Sequence, residues 1–555
     1  MATRDRRPLL IAALYVLLYV GGLGAWPAVR AQLCPSILIA SSSEKANLMT
    51  TLAAEFSASN RNTWAGCGNV VTVEQVASGQ AERELEQGWP DTATRPDVWA
   101  PAATTWVDLL AQRVSGTRFA SEIPAERSSD SIAKSPLVIA MPDVMARTLG
   151  WPQKQPTWSE VLQLAADPKG WADKGHPELG PFRLGKTDPT TSTSGIHTLI
   201  AEYYAATADA GGMTPASVAQ PDTRAFLARI EANVSHYAPT AGDFLSDLSA
   251  VGGAPSYISA IPVEEQEVFK YNAGHYQSQN LAPLPLDAIY PADGTLYADH
   301  PYLVLDAPWM DSGKRQIAND FRDWLLRSEQ QARFAAAGFR DAGGHVVPGS
   351  DLGRAKGIVA SLPGHTLAVP PGPVLDAIVR SWATFRKPAR ILIVLAAGTA
   401  AERQAVEDAV MNLGDADAVG VMVAPTKQPV SVTALKNGRA DVESAIASAP
   451  LARGPTALYV TIEAAYGELS SSADPSRINA VVVIASVVDD GTPPSLIDLE
   501  VELQGTKAAV PVRIYTVALG KANRSALTAI ERAAGGYVSS SPDPSSAIRT
   551  CLANF

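Results

Sequence analysis

Two consecutive stretches of the sequence carry residue types that could bind an oxyanion. Residues 180–187 fit the pattern G-x-x-x-x-G-K-[ST], which is typical of the phosphate loop of nucleoside triphosphatases. That loop must follow a buried strand and open directly into a helix, whereas polar residues precede this one and Asp188-Pro189 follows it. Because a residue before proline is biased away from helical geometry, we interpret the match as accidental.

The second stretch is the hydroxyl-rich segment at residues 190–197, which precedes an apolar-periodic segment. Hydroxyl side chains and a glycine at the start of a helix offer side-chain donors and free backbone amides, which suit an oxyanion or another polar ligand. The alternative is simple N-capping of a buried helix. We favour a ligand site, because the hydroxyl run is longer than capping needs and Ser41-Ser42-Ser43 forms a similar strand-to-helix junction.

Enzyme signatures are absent from the sequence. It contains no H-E-x-x-H and no G-x-S-x-G motif, and its seven histidines are dispersed without ligand spacing. Paired carboxylates such as Glu264-Glu265 are typical of a solvated helical face. The sequence therefore predicts that the protein is not an enzyme, has no cofactor and binds no metal.

Length and charge limit the fold and the partners. A chain of 555 residues with 46% hydrophobic residues is too long for one core, so we expect at least two domains. Charged residues make up 18% of the chain, and the net charge of -11 includes no long run of one sign. This pattern excludes a basic nucleic-acid footprint, so we predict no nucleic-acid partner.

The first residues have the features of an export segment. An arginine-rich start precedes an uncharged run at residues 8–26. Both a signal peptide cleaved after Ala31 and an uncleaved, single-pass membrane anchor fit this pattern. We favour the anchor at residues 1–31, because the run is uninterrupted and few charges follow it. The rest of the chain would then lie outside the cytoplasm, held at the cell membrane, or would be secreted after cleavage.

The three cysteines allow one disulfide. Cys34 and Cys67 flank the first βαβ-like stretch of an exported chain, so we predict that they form a disulfide. The alternative is a pair of buried thiols. Cys551 is left over near the C-terminus, where we expect a buried side chain without a functional role.

Hydrophobic periodicity predicts an α/β fold in the first part of the chain. Residues 36–40 and 70–76 have the pattern of buried strands, and residues 46–57 between them have the pattern of an amphipathic helix. This βαβ order predicts a parallel sheet. The alternation of strands and helices continues as far as a predicted helix at residues 321–338.

A second α/β pattern follows a connecting segment. Residues 341–373 are rich in glycine and proline and mark an interdomain connection, and residues 374–385 form a predicted lead helix. From residue 390 onward, strands and helices alternate regularly to the end of the chain. This regularity predicts a second, doubly wound (Rossmann-like) sheet.

Motifs across the first domain carry a family resemblance. They are Ile39-Ala40-Ser41-Ser42, Pro96-Asp97-Val98-Trp99-Ala100-Pro101, residues 135–142, residues 180–189 with Thr193-Ser194-Gly195, and Asp299-His300-Pro301-Tyr302. Residues 34–340 resemble bacterial extracellular solute-binding proteins of the molybdate-binding-like type, in the variety that is fused to a von Willebrand factor A (VWA) domain. The resemblance implies a two-lobed, periplasmic-binding-protein-like domain that holds its ligand between the lobes. It also implies ligand-binding residues, which are Ser42, Ser43, Thr104, Ser194 and Gly195, with Trp99, Thr193 and Tyr257 as weaker candidates.

Residues 388–555 resemble VWA domains. The resemblance rests on residues 386–395, Gly454-Pro455-Thr456, residues 512–520 and Gly535-Gly536-Tyr537. An intact VWA domain binds a divalent cation through a D-x-S-x-S motif, and hard oxygen ligands of this kind suit Mg²⁺. Ala396, Gly398 and Ala400 stand at those positions, and only Thr456 remains of the ligand set. Asp489 and Asp490 follow nearby, but we expect them to be solvated loop residues, so the resemblance implies a degenerate metal site without metal.

These observations lead to one main hypothesis and one alternative. The domain order is an export segment at residues 1–31, a solute-binding-like domain at 34–340, a linker and lead helix at 341–387, and a VWA-like domain at 388–555. We predict an extracytoplasmic binding or scaffold protein that holds a small polar ligand in its cleft and contacts an unknown protein through its VWA-like domain. The alternative is the substrate-binding component of an ABC-type transporter for a small polar solute or oxyanion.

Overall fold

The computed structural model describes residues 36–59, 61–62, 67–89, 94–122, 131–207, 212–250, 257–277, 284–352, 357–359, 365–426, 429–505, 510–536, 538–539, 544–552 and 555. The export segment at residues 1–31 and Cys34 lie outside these residues, as does the side chain of Cys67, so the disulfide stays a prediction. Among the described helices, none combines the length and apolar character needed to cross a membrane. Cys551 is buried, as predicted, and burial raises the pKa of its thiol.

Eighteen strands lie in the described part of the chain. In chain order they are β1 (Ser36–Ser41), β2 (Arg61–Asn62), β3 (Cys67–Gly68), β4 (Val70–Gln75), β5 (Val98–Ala100), β6 (Ser135–Pro142), β7 (Leu184–Thr187), β8 (Val234–Ala238), β9 (Ile261–Glu264), β10 (Leu286–Ile289), β11 (Tyr297–Ala298), β12 (Leu303–Val304), β13 (Ala389–Ala396), β14 (Ala418–Val423), β15 (Val430–Ala434), β16 (Ile478–Ala485), β17 (Val512–Ala518) and β18 (Val538–Ser539).

The α-helices alternate with these strands. In chain order they are α1 (Ala46–Ser59), α2 (Ser78–Glu86), α3 (Thr104–Val114), α4 (Asp143–Thr148), α5 (Trp158–Ala166), α6 (Thr193–Thr207), α7 (Pro215–Val218), α8 (Pro221–Ala232), α9 (Ala241–Ala250), α10 (Glu265–Asn272), α11 (Ser312–Leu325), α12 (Ser328–Ala336), α13 (Gly372–Trp382), α14 (Ala400–Met411), α15 (Leu435–Ser448), α16 (Leu458–Ser471), α17 (Leu496–Gly505), α18 (Arg524–Ala534) and α19 (Pro544–Leu552).

The chain divides into two compact units. Unit 1 consists of the described residues of Met1–Lys134 and Asp299–Val347, and unit 2 consists of those of Ser135–Ala298 and Pro348–Phe555. The C-terminal α/β region therefore belongs to the same unit as residues 135–298.

Unit 1 is built on a four-stranded sheet in the order β12-β5-β1-β4. Strands β4 and β5 pair with β1 in parallel, as the βαβ order predicts, and the short β12 pairs with β5 in antiparallel orientation. Phe56 of α1 contacts Phe321 and Trp324 of α11, with ring centroids 5.1 and 5.7 Å apart. These aromatic contacts pack α1 against α11 and stabilise the helical layer.

The first part of unit 2 surrounds strand β6. All eight residues of β6 are buried, and β9, β10 and β11 pair with it in antiparallel orientation. Strands β7 and β8 form a separate parallel pair. Helix α6 is buried from Thr193 to Tyr203, and the buried residues include polar ones such as His197 and Glu202.

The second part of unit 2 is a six-stranded sheet in the order β15-β14-β13-β16-β17-β18. All pairs are parallel except β14 with β15. The central strands β13 and β16 are almost entirely buried, because helices cover both faces of a doubly wound sheet, and this explains their continuous apolar sequences.

The two parts of unit 2 are joined by buried polar and aromatic contacts. The Tyr203 hydroxyl of α6 lies 2.6 Å from the Ser381 hydroxyl of α13. The Tyr237 ring packs edge-on against Trp382 at 5.2 Å, and its hydroxyl accepts a hydrogen bond from the Lys387 amide at 2.9 Å. Helix α13 therefore docks the C-terminal sheet onto the strands and helices of residues 135–298.

The structure differs from the sequence prediction in three elements. The helix predicted at residues 321–338 is two helices, α11 and α12, separated at Arg327, whose ψ of 147° is extended. Strand β15 and helix α17 were not predicted. The β15 residues alternate between partly buried and exposed, as expected at a sheet edge, so the apolar run that marks a buried strand is missing.

Candidate ligand-binding site

The first strand-to-helix junction of unit 1 contains a buried lysine. Ser42 follows β1, and its hydroxyl accepts a hydrogen bond from the Lys45 ammonium at 2.8 Å. The same ammonium donates to the carbonyl oxygens of Ala100 and Pro101 at 2.8 and 2.9 Å. Ser43 lies beside this group and is only partly buried. The predicted binding residue Ser42 is therefore already engaged by a neighbouring side chain.

The second candidate position in unit 1 is engaged by a carboxylate. The Thr104 amide and hydroxyl, at the start of α3, donate to Asp299 at 2.7 and 2.6 Å. Asp299 thus occupies the place that an anion takes at a helix N-terminus. The next residue, His300, is buried with a φ of 39°, a left-handed conformation that is unfavourable for a residue with a Cβ.

Two weaker candidates lie in the interior. Trp99 is a fully buried residue of β5 in unit 1. Tyr257, in unit 2, hydrogen-bonds His236 through its hydroxyl at 3.2 Å, and the Arg513 guanidinium lies over its ring at 4.7 Å. Tyr257 therefore belongs to the contact between the two parts of unit 2.

The hydroxyl-rich segment of unit 2 forms the start of α6. A tight turn leads from β7 into the helix: the Asp188 carboxylate accepts bonds from the amide and hydroxyl of Thr190, both at 2.7 Å. The Ser192 carbonyl accepts the first bond of the helix from Ile196 at 3.0 Å. The amides of Ser194 and Gly195 fall in the first turn, which has no intrahelical acceptors for its donors.

Three buried hydroxyls at this helix start have no hydrogen-bond partner in the described part of the chain. They belong to Thr187, Ser192 and Ser194, whose exposed fractions are 1%, 3% and 1%. A buried hydroxyl without a partner costs about 1–3 kcal/mol, so native proteins rarely retain several together. They lie at or just before the amino end of a long helix, where they are available as donors or acceptors to a polar ligand. Thr193 lies in the same turn.

Gly195 lets the helix start lie directly on the preceding backbone. A Cβ at this position would lie 2.6 Å from the Thr187 carbonyl oxygen and 2.8 Å from that of Asp188. Any larger residue would push α6 away from the exit of β7. Gly195 is therefore required for the shape of the junction, whatever its role toward a ligand.

A buried ion cluster supports the same helix. Lys186 of β7 contacts Glu202 of α6 at 2.9 Å and Glu231 of α8 at 2.5 Å, and all three side chains are buried. Burial opposes the charge on Lys186, but the two carboxylates outweigh it and raise its pKa. Burial and repulsion from the Glu231 carboxylate raise the pKa of Glu202 to about 7, although Lys186 opposes the shift. Lys186 is thus a structural residue in a strand, consistent with rejecting a phosphate loop.

The helix start has hydrogen-bond donors without a strong local cation. His197 lies one turn into α6, and burial lowers its pKa to about 3, so its imidazole is neutral at physiological pH. Lys186 is neutralised by its two glutamates. The arrangement can therefore bind a polar solute through hydrogen bonds from hydroxyls and amides.

The sequence prediction that Glu264-Glu265 lie on a solvated helical face is wrong, because both side chains are buried. Glu264, Glu265 and Glu267 are buried, with exposed fractions of 1% or less. The hydroxyls of Tyr290 and Tyr276 donate to Glu265 and Glu267, respectively. The residue types alone did not reveal this burial, because the partner tyrosines come from other parts of the chain.

Glu402 forms hydrogen bonds at the carboxyl end of strand β13, where Ala396, Gly398 and Ala400 lie. Its carboxylate accepts bonds from the Gly398 amide at 2.8 Å and from the Ser486 hydroxyl at 2.7 Å. In the described residues, no group of three or more His, Cys, Asp or Glu side chains could hold a metal ion.

The acidic loop next to Thr456 has a capping role. Asp489 accepts a hydrogen bond from the Tyr459 amide of α16 at 2.9 Å and another from Gly491 at 2.8 Å. The Asp490 amide donates to the Thr456 carbonyl oxygen at 3.0 Å. These aspartates stabilise the loop and the start of α16.

Comparison with known proteins supports the prediction that the first domain is of the solute-binding-protein type. Residues 37–340, more than half of the chain, match the family described as "Bacterial extracellular solute-binding protein". The chain is also 24% identical over 253 residues to "Uncharacterized protein MT1884" and "Uncharacterized protein Rv1836c" of Mycobacterium tuberculosis. That alignment covers 45% of this chain and 34% of each relative, so the chain spans about a third of the length of the curated relatives it matches.

Solved structures of periplasmic binding proteins are also similar to this chain. AfuA of Actinobacillus pleuropneumoniae, with exogenous fructose-6-phosphate bound, is 16% identical with a TM-score of 0.40, covering 64% of this chain and 100% of AfuA. Maltose-bound MalE3 of T. maritima is 10% identical with a TM-score of 0.38, covering 79% and 99%. At these TM-scores the structural similarity adds no argument of its own. The family match over residues 37–340 is sufficient, and the chain belongs to the bacterial extracellular solute-binding protein family.

Proposed function

We propose that the protein is the solute-binding component of an ABC-type transporter and captures a small polar solute at the amino end of α6. One observation carries the proposal: among the described residues, the buried hydroxyls of Thr187, Ser192 and Ser194 have no hydrogen-bond partner, and they lie beside the first-turn amides of α6. Membership of the solute-binding family supports it. The transporter role, which was the alternative at the level of sequence, thus takes precedence over the scaffold role.

The chemistry of the α6 start favours a solute rich in oxygen acceptors. Hydroxyls and helix amides donate to the oxygens of a sugar, a polyol or an oxyanion alike. The neutral His197 and the neutralised Lys186 add no positive charge. Binding therefore depends on the number and placement of oxygen atoms in the solute more than on its net charge.

A second proposal concerns the C-terminal sheet, which we assign as a VWA-like domain that contacts a protein partner without metal. Its strand order, with the first strand at the centre and one antiparallel edge strand, supports a doubly wound fold of this kind. The Glu402 carboxylate at the sheet edge supports a metal-independent surface, since it takes the donors of Gly398 and Ser486. We further propose that the protein acts outside the cytoplasm, anchored by residues 1–31.

Isothermal titration of the full-length protein with sugars, polyols and oxyanions tests the solute-binding proposal. We expect saturable binding to one solute class. Ser194→Ala should weaken that binding about tenfold, the effect of one well-made hydrogen bond to a buried ligand. Ser42→Ala should weaken it less, because the Ser42 hydroxyl is already bonded to Lys45.

The matched control is Ser448→Ala, which removes an exposed helical hydroxyl from the same unit. It should leave the affinity unchanged. Equal affinities for the parent and Ser194→Ala proteins would exclude α6 as the binding element. Stabilisation by Mg²⁺ or Ca²⁺ that Thr456→Ala abolishes would contradict the metal-independent assignment.

A further inference from the structure

Helix α17, which packs on the C-terminal sheet, has apolar residues on two opposite faces. Leu499 and Leu503 belong to the core of the sheet and are 0% and 3% exposed. Ile497 and Val501 are 73% and 65% exposed, the highest values for large hydrophobic side chains in the described part of the chain. Because each residue turns a helix by about 100°, Ile497 and Leu499 are about 200° apart and lie on different faces. A helix that only covers its own core has one apolar face, so the outer pair points to a contact with another molecule.

The outer pair is flanked by negative charge. Ile497 and Val501 are one helical turn apart, so their side chains are neighbours, and the same geometry places Asp498 and Glu500 on either side of them. Within the described residues, neither carboxylate forms an ion pair with a lysine or arginine. The Asp498 carboxylate accepts a hydrogen bond from the Ser495 hydroxyl at 2.7 Å, and this neutral donor leaves the charge in place. We call Ile497, Asp498, Glu500 and Val501 the α17 face.

The segment that contains this face is acidic throughout. Residues 487–505, which run from just after β16 to the end of α17, contain five Asp and Glu residues and no Lys or Arg. Burial raises the pKa of Tyr459 on α16, and the charges of Asp489 and Glu500 raise it further. The Tyr459 amide also donates to Asp489 at 2.9 Å. Acidic residues of the loop and of α17 therefore lie close to the same tyrosine and form one negatively charged area.

The charge of the α17 face limits which molecule can cover it. In a symmetric pair of copies, the face would meet the same face of the second copy, and the carboxylates would repel one another. Anionic lipid headgroups would be repelled in the same way. A protein surface with lysines or arginines around an apolar centre would instead bury Ile497 and Val501 and pair with the flanking carboxylates.

We propose that the α17 face is a docking site for a protein partner that presents a basic, amphipathic segment. The inference rests on the proposed metal-independent protein contact of the C-terminal sheet and deepens it, because it names the surface and the charge of the partner. Only two apolar side chains lie at the centre of this face, so the complex is transient and its affinity falls as salt screens the charges.

Isothermal titration of the full-length protein with two synthetic helical peptides tests the docking site. One peptide has leucines and lysines at amphipathic spacing, and the other has glutamates in place of the lysines. We expect saturable binding of the Leu/Lys peptide, weaker at high salt, and no binding of the Leu/Glu peptide. The double variant Ile497→Ser/Val501→Ser should weaken binding about tenfold or more, because the peptide no longer removes two apolar side chains from water.

Two further variants provide a charge test and a matched control. Asp498→Asn should weaken binding by a smaller factor and reduce its salt dependence, and it decides the matter if the double variant does not fold. Met411→Ser removes a 54% exposed apolar side chain from α14, on the same sheet, and should bind the peptide like the parent.

The proposal is overturned if the Leu/Lys peptide does not bind, if the double variant and Asp498→Asn bind it like the parent, or if Met411→Ser loses as much affinity as the double variant. It is also overturned if, instead of the peptide, the parent binds anionic vesicles or self-associates and the double variant does not. Those results would assign the face to a membrane or to a second copy. If the peptide binds only with Mg²⁺ and the double variant still weakens it, the α17 face stands and the metal-independent proposal fails.

Discussion

The strand-to-helix junctions of the two units are built from similar residues but differ in how their polar groups are satisfied. In unit 1, Lys45 engages Ser42 and Asp299 engages both donors of Thr104. In unit 2, the hydroxyls of Ser192 and Ser194 remain buried and unbonded in the described structure. These groups at the unit 1 junction therefore have internal partners, whereas the proposed site at the start of α6 offers its donors to a ligand.

This difference has an energetic meaning. A ligand at unit 1 must replace internal charge-assisted bonds, which are stronger than neutral ones. A ligand at α6 replaces nothing and relieves the cost of unbonded buried hydroxyls. Under the proposed function, we therefore expect most of the binding free energy of the solute to come from contacts at the start of α6.

The largest effect is expected from the ion cluster that supports α6. Lys186→Met leaves Glu202 and Glu231 without their cation, and breaking such a buried group costs about 3–5 kcal/mol of unfolding free energy. Chemical unfolding measures the loss. Lys154→Met is the matched control, since its ion pair with Glu160 is exposed and is worth no more than about 1 kcal/mol. Equal losses in both variants would mean that the cluster does not support the helix.

An intermediate effect is expected from pH. The folded pKa of His197 is about 3, below the ordinary 6.5, so the unfolded chain takes up a proton below pH 6.5 while the folded chain does not. The stability from neutral His197 is complete above pH 6.5 and is lost as the pH falls toward 3. Between pH 6.5 and pH 5 this loss is about 2 kcal/mol.

Comparing the pH dependence of the parent with that of His197→Leu isolates this contribution. Glu202 acts in the opposite direction, because its raised pKa adds stability as the pH falls, so neither profile is informative alone. The parent should lose more stability than the variant over this range. Parallel profiles would show that His197 titrates normally and that the start of α6 carries a charge in weak acid.

The smallest effect is expected in unit 1. Asp299→Ala removes the carboxylate that caps α3 and should lower the unfolding free energy by about 1–2 kcal/mol. Asp306→Ala, at an exposed ion pair with Arg315, should change it by no more than about 0.5 kcal/mol. If Asp299→Ala is as stable as the parent, unit 1 is not internally satisfied and the contrast between the units disappears.

The sequence was sufficient to predict strands and helices that have a local hydrophobic or capping pattern. Strands β1 and β4 lie within one residue of the predicted ranges 36–40 and 70–76, and the hydroxyl run at residues 190–197 does begin a buried helix. The edge strand β15 was missed because its exposed half gives no buried-strand signal. Adjacent helices α11 and α12 were merged because no glycine or proline separates them.

The partners within the sites could not be predicted in the same way. Thr104 meets Asp299 across a separation of 195 residues, and Lys186 meets Glu231 across 45. Such contacts follow from the tertiary fold and leave no periodic pattern in the sequence. The prediction that Glu265 lies on a solvated face was wrong for the same reason, because the side chain is buried and bonded to Tyr290.

The contact between α6 and α13 limits how this protein can be divided. A chain shortened after Arg340 would correspond to a whole family domain in sequence, but it would lose Ser381, Trp382 and Lys387. Tyr203 would then lose the Ser381 hydroxyl, and Tyr237 would lose the Trp382 ring and the Lys387 amide while keeping its bond to Glu231. A domain boundary placed from the family match would thus cut through a compact unit of the structure. A truncated protein used for crystallisation or binding assays should therefore retain the C-terminal sheet.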